Sequence, residues 1–129
     1  MPAAAKLFLS IGAIAMFAAV GLGAFGAHAL NTRLAAELLA VYHKGVEYHF
    51  YHALGLLAVG LAALRMPESK CLRAAGWLMT AGILIFSGSL YALALTGVRA
   101  LGAITPFGGV AFLLAWALFA IAVLRSRRM

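Results

Sequence analysis

The chain alternates long apolar runs with short polar stretches. Residues 7–30 contain no Lys, Arg, Asp or Glu. At 1.5 Å per residue, about 24 helical residues cross the roughly 30 Å hydrocarbon core of a bilayer. Three further runs follow, at about 45–64, 74–95 and 105–124. The pattern predicts an all-α fold: four transmembrane helices, joined by short connections into an antiparallel bundle. Ahead of the second run, apolar Leu34, Leu38, Val41 and Tyr42 recur at helical spacing, with Arg33, Glu37 and Lys44 on other faces. This predicts a short amphipathic helix at about 33–44, lying at the interface and leading into the second crossing. Asn31 and Thr32 are candidate caps for its start, and Thr105-Pro106 suits the opening of the fourth crossing. No repeat or linker divides the chain, so residues 1–129 read as one domain.

Composition identifies the solvent. Of 129 residues, 66% are hydrophobic and 10% charged. A soluble domain is nearer half apolar and a quarter charged. The excess has to face lipid, so the bilayer is the first partner. A net charge of +7 would suggest nucleic acid in a soluble protein. Here the cations fall between apolar runs, and no nucleic-acid partner is expected. Lys6, Arg65, Lys70, Arg73, Arg125, Arg127 and Arg128 lie on one side; Arg33, Lys44 and Arg99 lie on the other. Lys/Arg bias in short loops then puts both termini in the cytoplasm. Lys6, the first run and Ala27-His28-Ala29 fit the outline of a signal peptide, but the run is long for one, and the segment is expected to be retained. Cys71 is alone, which excludes a disulfide framework or a cysteine-based metal site.

One stretch interrupts the apolar text: residues 43–52, HKGVEYHFYH. Ionisable groups at membrane depth are costly and mark functional candidates. Helical rise gives depths. Counting from Arg65, Glu47 lies about 27 Å and His52 about 20 Å above the inner face. Counting from Arg73, Ser87, Ser89 and Tyr91 lie about 21, 24 and 27 Å up. His28 lies about 33 Å beyond Lys6, and Thr105 about 30 Å from Arg125. Every crossing thus brings polar groups into the outer half. The candidate cluster is His28, Glu47, Tyr48, His52, Ser87, Ser89, Tyr91 and Thr105.

The helical wheel restricts it. Glu47 and His52 diverge by about 140° and cannot share an ion on one helix. Tyr48 and His52 share a face with Gly55 and Val59, and are expected to meet Ser87, Ser89 and His28 inside the bundle. Glu47 is expected to form an interfacial ion pair with Lys44 or Arg99. Small residues at Ala15, Ala19, Gly23 and Ala27 form a ridge for close helix approach, and Gly108-Gly109 reads as close packing.

Four motifs carry a resemblance. They are Gly-Ala-Phe-Gly-Ala-His at 23–28, Gly45-Val46-Glu47-Tyr48 followed by His52, Phe-Ser-Gly-Ser-Leu-Tyr at 86–91, and Thr-Pro-Phe-Gly-Gly at 105–109. In this order the chain resembles the YgdD-like family of small inner-membrane proteins (domain of unknown function 423) over nearly its whole length. The resemblance implies a four-helix protein of the bacterial inner membrane and implies no reaction. His43 and His49 fall outside these motifs and rank below His28 and His52.

The small-residue ridge and the featureless inner half favour action by association, as an accessory subunit or a homo-oligomer. The alternative is a proton-coupled small transporter working as an oligomer, similar in outline to the small multidrug-resistance exporters. Against it, Glu47 stands on the second crossing near an interface. A haem between His28 and His52 ranks third. No cofactor or metal is expected, and the reading leans away from an enzyme, since Ser87 would need a base within about 3 Å.

Overall fold

The computed structural model describes residues 1–127; Arg128 and Met129 lie outside the described residues. The apolar runs are helical, because a helix satisfies its own backbone groups where no water can. Helix α1 spans Ala3–Phe25 and continues through a π-helical turn, Gly26–Leu30. Helix α2 spans Ala36–Ala63. Helix α3, Lys70–Gly82, passes through a second π turn, Ile83–Ser87, into α4, Gly88–Thr96, as one rod. A 3₁₀ turn, Arg99–Ala103, leads into α5, Thr105–Arg125. There are thus four long rods and, among the described residues, no strand. Three of them, Ala3–Leu30, Lys70–Thr96 and Arg99–Arg125, are long and apolar enough to cross a membrane. The fourth, α2, is 28 residues long but carries Glu47, His43, His49 and His52.

The expected interfacial helix at 33–44 does not form a separate element. Its residues from Ala36 onward are the first turns of α2, which runs unbroken past Gly45. The physical reason is that no proline interrupts residues 36–63, and Gly45 is held in the helix by packing on Tyr91 and Leu90. Neither Asn31 nor Thr32 caps α2; Ala35 stands at that position without a side-chain bond. Ser69 does cap α3, accepting from the Leu72 amide at 3.2 Å. Gly97, at φ 73°, closes α4 in the left-handed conformation that glycine alone adopts freely.

Two heptads hold α1 to α2. Ala5, Gly12, Ala19 and Gly26 are all buried and seven residues apart. Tyr42, His49, Leu56 and Ala63 on α2 are buried at the same spacing. A seven-residue repeat keeps one seam facing its partner along the whole helix. The seams run antiparallel: Gly26 lies against the Tyr42 ring, Gly12 against Leu57, and Gly60 against Leu9. The four-residue ridge expected from sequence is not this seam. It shares Ala19, and Gly23 beside it packs on Val46 of α2, but Ala27 is exposed.

The α3–α4 rod and α5 pair in the same way. Phe112 fills the space over Gly82, and Gly108 rests on the Phe86 backbone. Phe8, Leu56, Val59, Leu72, Met79, Ile83 and Phe112 form the main core, and a smaller cluster of Leu30, Tyr42, Val46 and Ala94 lies at the other end. Neighbouring rods are antiparallel, so Met66, Lys70, Arg125 and Ser126 line one hollow at the basic end. At the opposite end Arg99 Nη1 donates to Glu37 Oε1 at 3.1 Å.

Gly60→Ala places a methyl 2.8 Å from the Leu9 amide nitrogen. The substitution should destabilise the fold by about 1–3 kcal/mol, the usual cost of overpacking. Gly88→Ala, where a Cβ meets nothing within 4 Å, should cost nothing. Reversible unfolding in mixed micelles checks both.

Candidate functional site

Two histidines sit inside the bundle, and they face different neighbours. His49 and His52 are three residues apart, about 60° on the helical wheel. Each is buried, at 5% and 4% exposure.

His52 links α2 to α5. Its Nδ1 lies 2.7 Å from the Tyr48 carbonyl oxygen, and its Nε2 lies 3.0 Å from Trp116 Nε1. A carbonyl only accepts and an indole N–H only donates. The two partners therefore fix the neutral tautomer with hydrogen on Nδ1. A protonated imidazole would have to give up the indole. The ring also lies flat on Phe112, with centroids 3.4 Å apart and planes 8° from parallel.

His49 faces the other side of the bundle. Its Nδ1 lies 2.9 Å from the Tyr91 hydroxyl. The Tyr91 ring packs 5.3 Å from Tyr42, whose hydroxyl donates to the Leu22 carbonyl on α1. This chain of contacts joins α1, α2 and α4. Nearby, the buried Ser87 hydroxyl donates to the Gly45 carbonyl at 2.7 Å. Ser89 donates to the Phe86 carbonyl at 2.9 Å and shares a hydrogen bond with Thr105 at the start of α5. The π turn Ile83–Ser87 shifts the register of the rod just before these hydroxyls, so that Ser87 reaches α2.

The eight residues expected in one cluster therefore separate. Tyr48 and His52 share a face, their rings 6.2 Å apart. Ser87 and Tyr91 reach α2 by Gly45 and His49 rather than by His52. Ser89 and Thr105 pair with each other. Glu47 is half exposed and pairs with Lys44 at 3.3 Å, within its own helix. His28 is exposed in the π turn after α1 and makes no hydrogen bond with the others. The facing of His28 and His52 that a haem would need is absent.

Sequence reasoning passed over His49. Its signal was present, since it is the heptad mate of Tyr42 and Leu56. Trp116, which nothing in the apolar text around it singles out, supplies the indole N–H that bonds His52.

The chemistry available is limited by these bonds. Ser87 gives its proton to a carbonyl, not to an imidazole, so nothing activates it as a nucleophile. Among the described residues no three His, Cys, Asp or Glu side chains gather to hold a metal ion. No buried side-chain nitrogen or oxygen lacks a partner among them. The polar interior works as a set of interhelical braces.

The His52–Trp116 bond should be measurable as a coupling. In a double-mutant cycle with His52→Phe and Trp116→Phe, unfolding in micelles should give an interaction energy of about 1 kcal/mol. Additive effects would mean that the indole and imidazole do not hold each other.

Comparison with known proteins places this bundle. Residues 22–109 match the family described as protein of unknown function (DUF423). The UPF0382 membrane protein YwdK of Bacillus subtilis (strain 168) is 50% identical over 120 residues, covering 93% of this chain and 98% of the relative. A UPF0382 membrane protein of Staphylococcus epidermidis (strain ATCC 12228) is 48% identical, covering 93% and 97%. One from Staphylococcus aureus (strain USA300) is 46% identical with the same coverage. No solved structure matches the chain. With the family matched over most of the bundle and half the residues shared with a full-length relative, the chain belongs to the DUF423 family of UPF0382 membrane proteins, a family of unknown function.

Proposed function

We propose that the protein crosses the bacterial inner membrane four times and acts by lateral association, the tested partner being a second copy. The observation that carries this reading is a pair of unfilled glycines. Inside the bundle Gly12, Gly60, Gly76, Gly82 and Gly108 all lie against a neighbouring helix. Gly21 and Gly88 have nothing within 4 Å of an added Cβ. They stand on α1 and on the α3–α4 rod, the two walls of one groove. Ile14, Ala18 and Leu84 line it, with His49 at its floor. Gly21 follows Ile14 by seven residues and so continues the α1 edge of the groove, and Gly88 opens α4 just past the π turn on the facing rod. They also lie at one depth, 15 residues beyond Lys6 and Arg73, or about 22 Å. Small residues facing lipid let helix backbones approach closely.

A transport path finds less support. Its proton carrier would be a carboxylate inside the bundle, and Glu37 and Glu47 are exposed and ion-paired. The fourth crossing is supported by packing: α2, at 28 residues, runs antiparallel between the α1 rod of 28 and the α3–α4 rod of 27. The inward orientation of both termini rests on six cations at one end of the described chain, with Arg128 beyond it, against three at the other.

The test uses Gly21→Cys in a Cys71→Ala background, oxidised in native membranes. A disulfide-linked dimer is expected. Dimer yield no higher than for Leu113→Cys on the far face would remove the proposal. Separately, a reporter active only outside the cytoplasm should be silent when fused after Met129; activity there would reverse the topology.

A further inference from the structure

A second groove lies across α2 from the face proposed for association, so either proposal can fail without the other. It runs between α2 and α5, over the π turn, with a volume of about 580 Å³. Tyr48, Tyr51, Phe86, Phe112 and Trp116 line it, with Leu113 at its mouth. We propose that it binds an uncharged, planar, lipid-soluble molecule bearing ring carbonyls, of the quinone class.

Several features select this chemistry. No Lys, Arg, Asp or Glu lines the groove, so nothing there compensates a charged ligand. The mouth opens toward lipid, where Leu113 is 73% exposed. The walls are aromatic: Tyr48 lies 4.6 Å from Phe86 and 5.6 Å from Tyr51 by ring centroids. Aromatic faces carry negative charge density, so they complement an electron-poor ring. Trp116, 43% exposed, offers an indole face of this kind.

Hydrogen bonding adds the second element. Tyr48 and Tyr51 line the groove, and their hydroxyls, neither buried without a partner, enter none of the side-chain hydrogen bonds of the described residues. The polar atoms of His52 and Trp116 are already engaged with each other. The two phenols are therefore the free donors, and ring carbonyls are the acceptors they fit. Size agrees, since pockets for small ligands run from about 300 to 1,000 Å³ and combine apolar walls with few polar groups. From Pro106 to Trp116 the groove extends roughly 15 Å. Tyr48 lies about 25 Å above Arg65 by the same rise, near the outer headgroups. The ring would sit there, with an isoprenoid tail running toward the midplane.

Menadione, a quinone ring without a tail, is the probe, and tryptophan fluorescence in micelles is the readout. Trp77 packs on Phe8 at the opposite end of the bundle and serves as the internal control. In a Trp77→Phe protein, quenching of Trp116 should saturate. In a Trp116→Phe protein, quenching of Trp77 should rise linearly, as partitioning alone requires. Tyr48→Phe should weaken binding about tenfold, the effect of losing one hydrogen bond. Gly109→Leu, which fills the groove from α5, should abolish saturation while leaving the circular dichroism unchanged. Linear quenching of Trp116, or a Tyr48→Phe titration matching the parent, would overturn the proposal. So would equal displacement of menadione by phytol, which would assign the groove to a plain apolar chain.

Discussion

Hydrocarbon offers no hydrogen bonds, so a polar side chain buried in this bundle has to find its partner within the protein. Ser87 meets the Gly45 carbonyl, His49 meets Tyr91, His52 meets Trp116, and Ser89 meets Thr105. Each pair joins two rods. Interhelical bonds of this kind contribute modestly apiece, about 0.6 kcal/mol on average. Their larger effect is on register, because a slip of either helix would leave both members unpaired. The glycine contacts permit the same pairs, since only close backbones bring short hydroxyls within reach.

The fold was largely legible because its main signal is solvent. Runs such as 7–30 and 105–124 are too apolar and too long to be anything but helices against lipid or core. The sequence also contained the α1–α2 seam, as matched heptads on the two helices. The four-residue ridge overlaps that seam at Ala19 and beside it at Gly23, which packs on Val46, while Ala27 is small but open, and smallness alone does not distinguish a packed position from an open one. The amphipathic stretch at 33–44 looked separable because its charges were read as interfacial. Packing of Gly45 on Tyr91 and Leu90 carries the helix through this weak point and continues it into α2.

The site was legible only in part. Helical rise orders the polar groups along each rod but leaves rotation about the rod undetermined. The π turn at Ile83–Ser87 alters that rotation, and nothing in Ile-Leu-Ile-Phe-Ser announces it. The outcome is two polar faces instead of one cluster, with His28 outside both. Those faces differ in kind: Gly21 and Gly88 lie open on one, and Tyr48 and Tyr51 stand beside the braced His52 on the other.

The least lipid-compatible rod, α2, packs along both α1 and the α3–α4 rod and is tied to α5 by the His52–Trp116 bond. On a four-crossing topology this bears on how the protein is made. A segment with Glu47 and three histidines has weak grounds for leaving the insertion machinery alone. Its buried groups find their partners only when α1 is already beside it and the α3–α4 rod arrives. Integration would then be a collective step, in which the apolar first and later segments carry the polar second one into the bilayer. A defect in the α1–α2 seam would show first as a failure of insertion, before any loss of stability in the finished bundle.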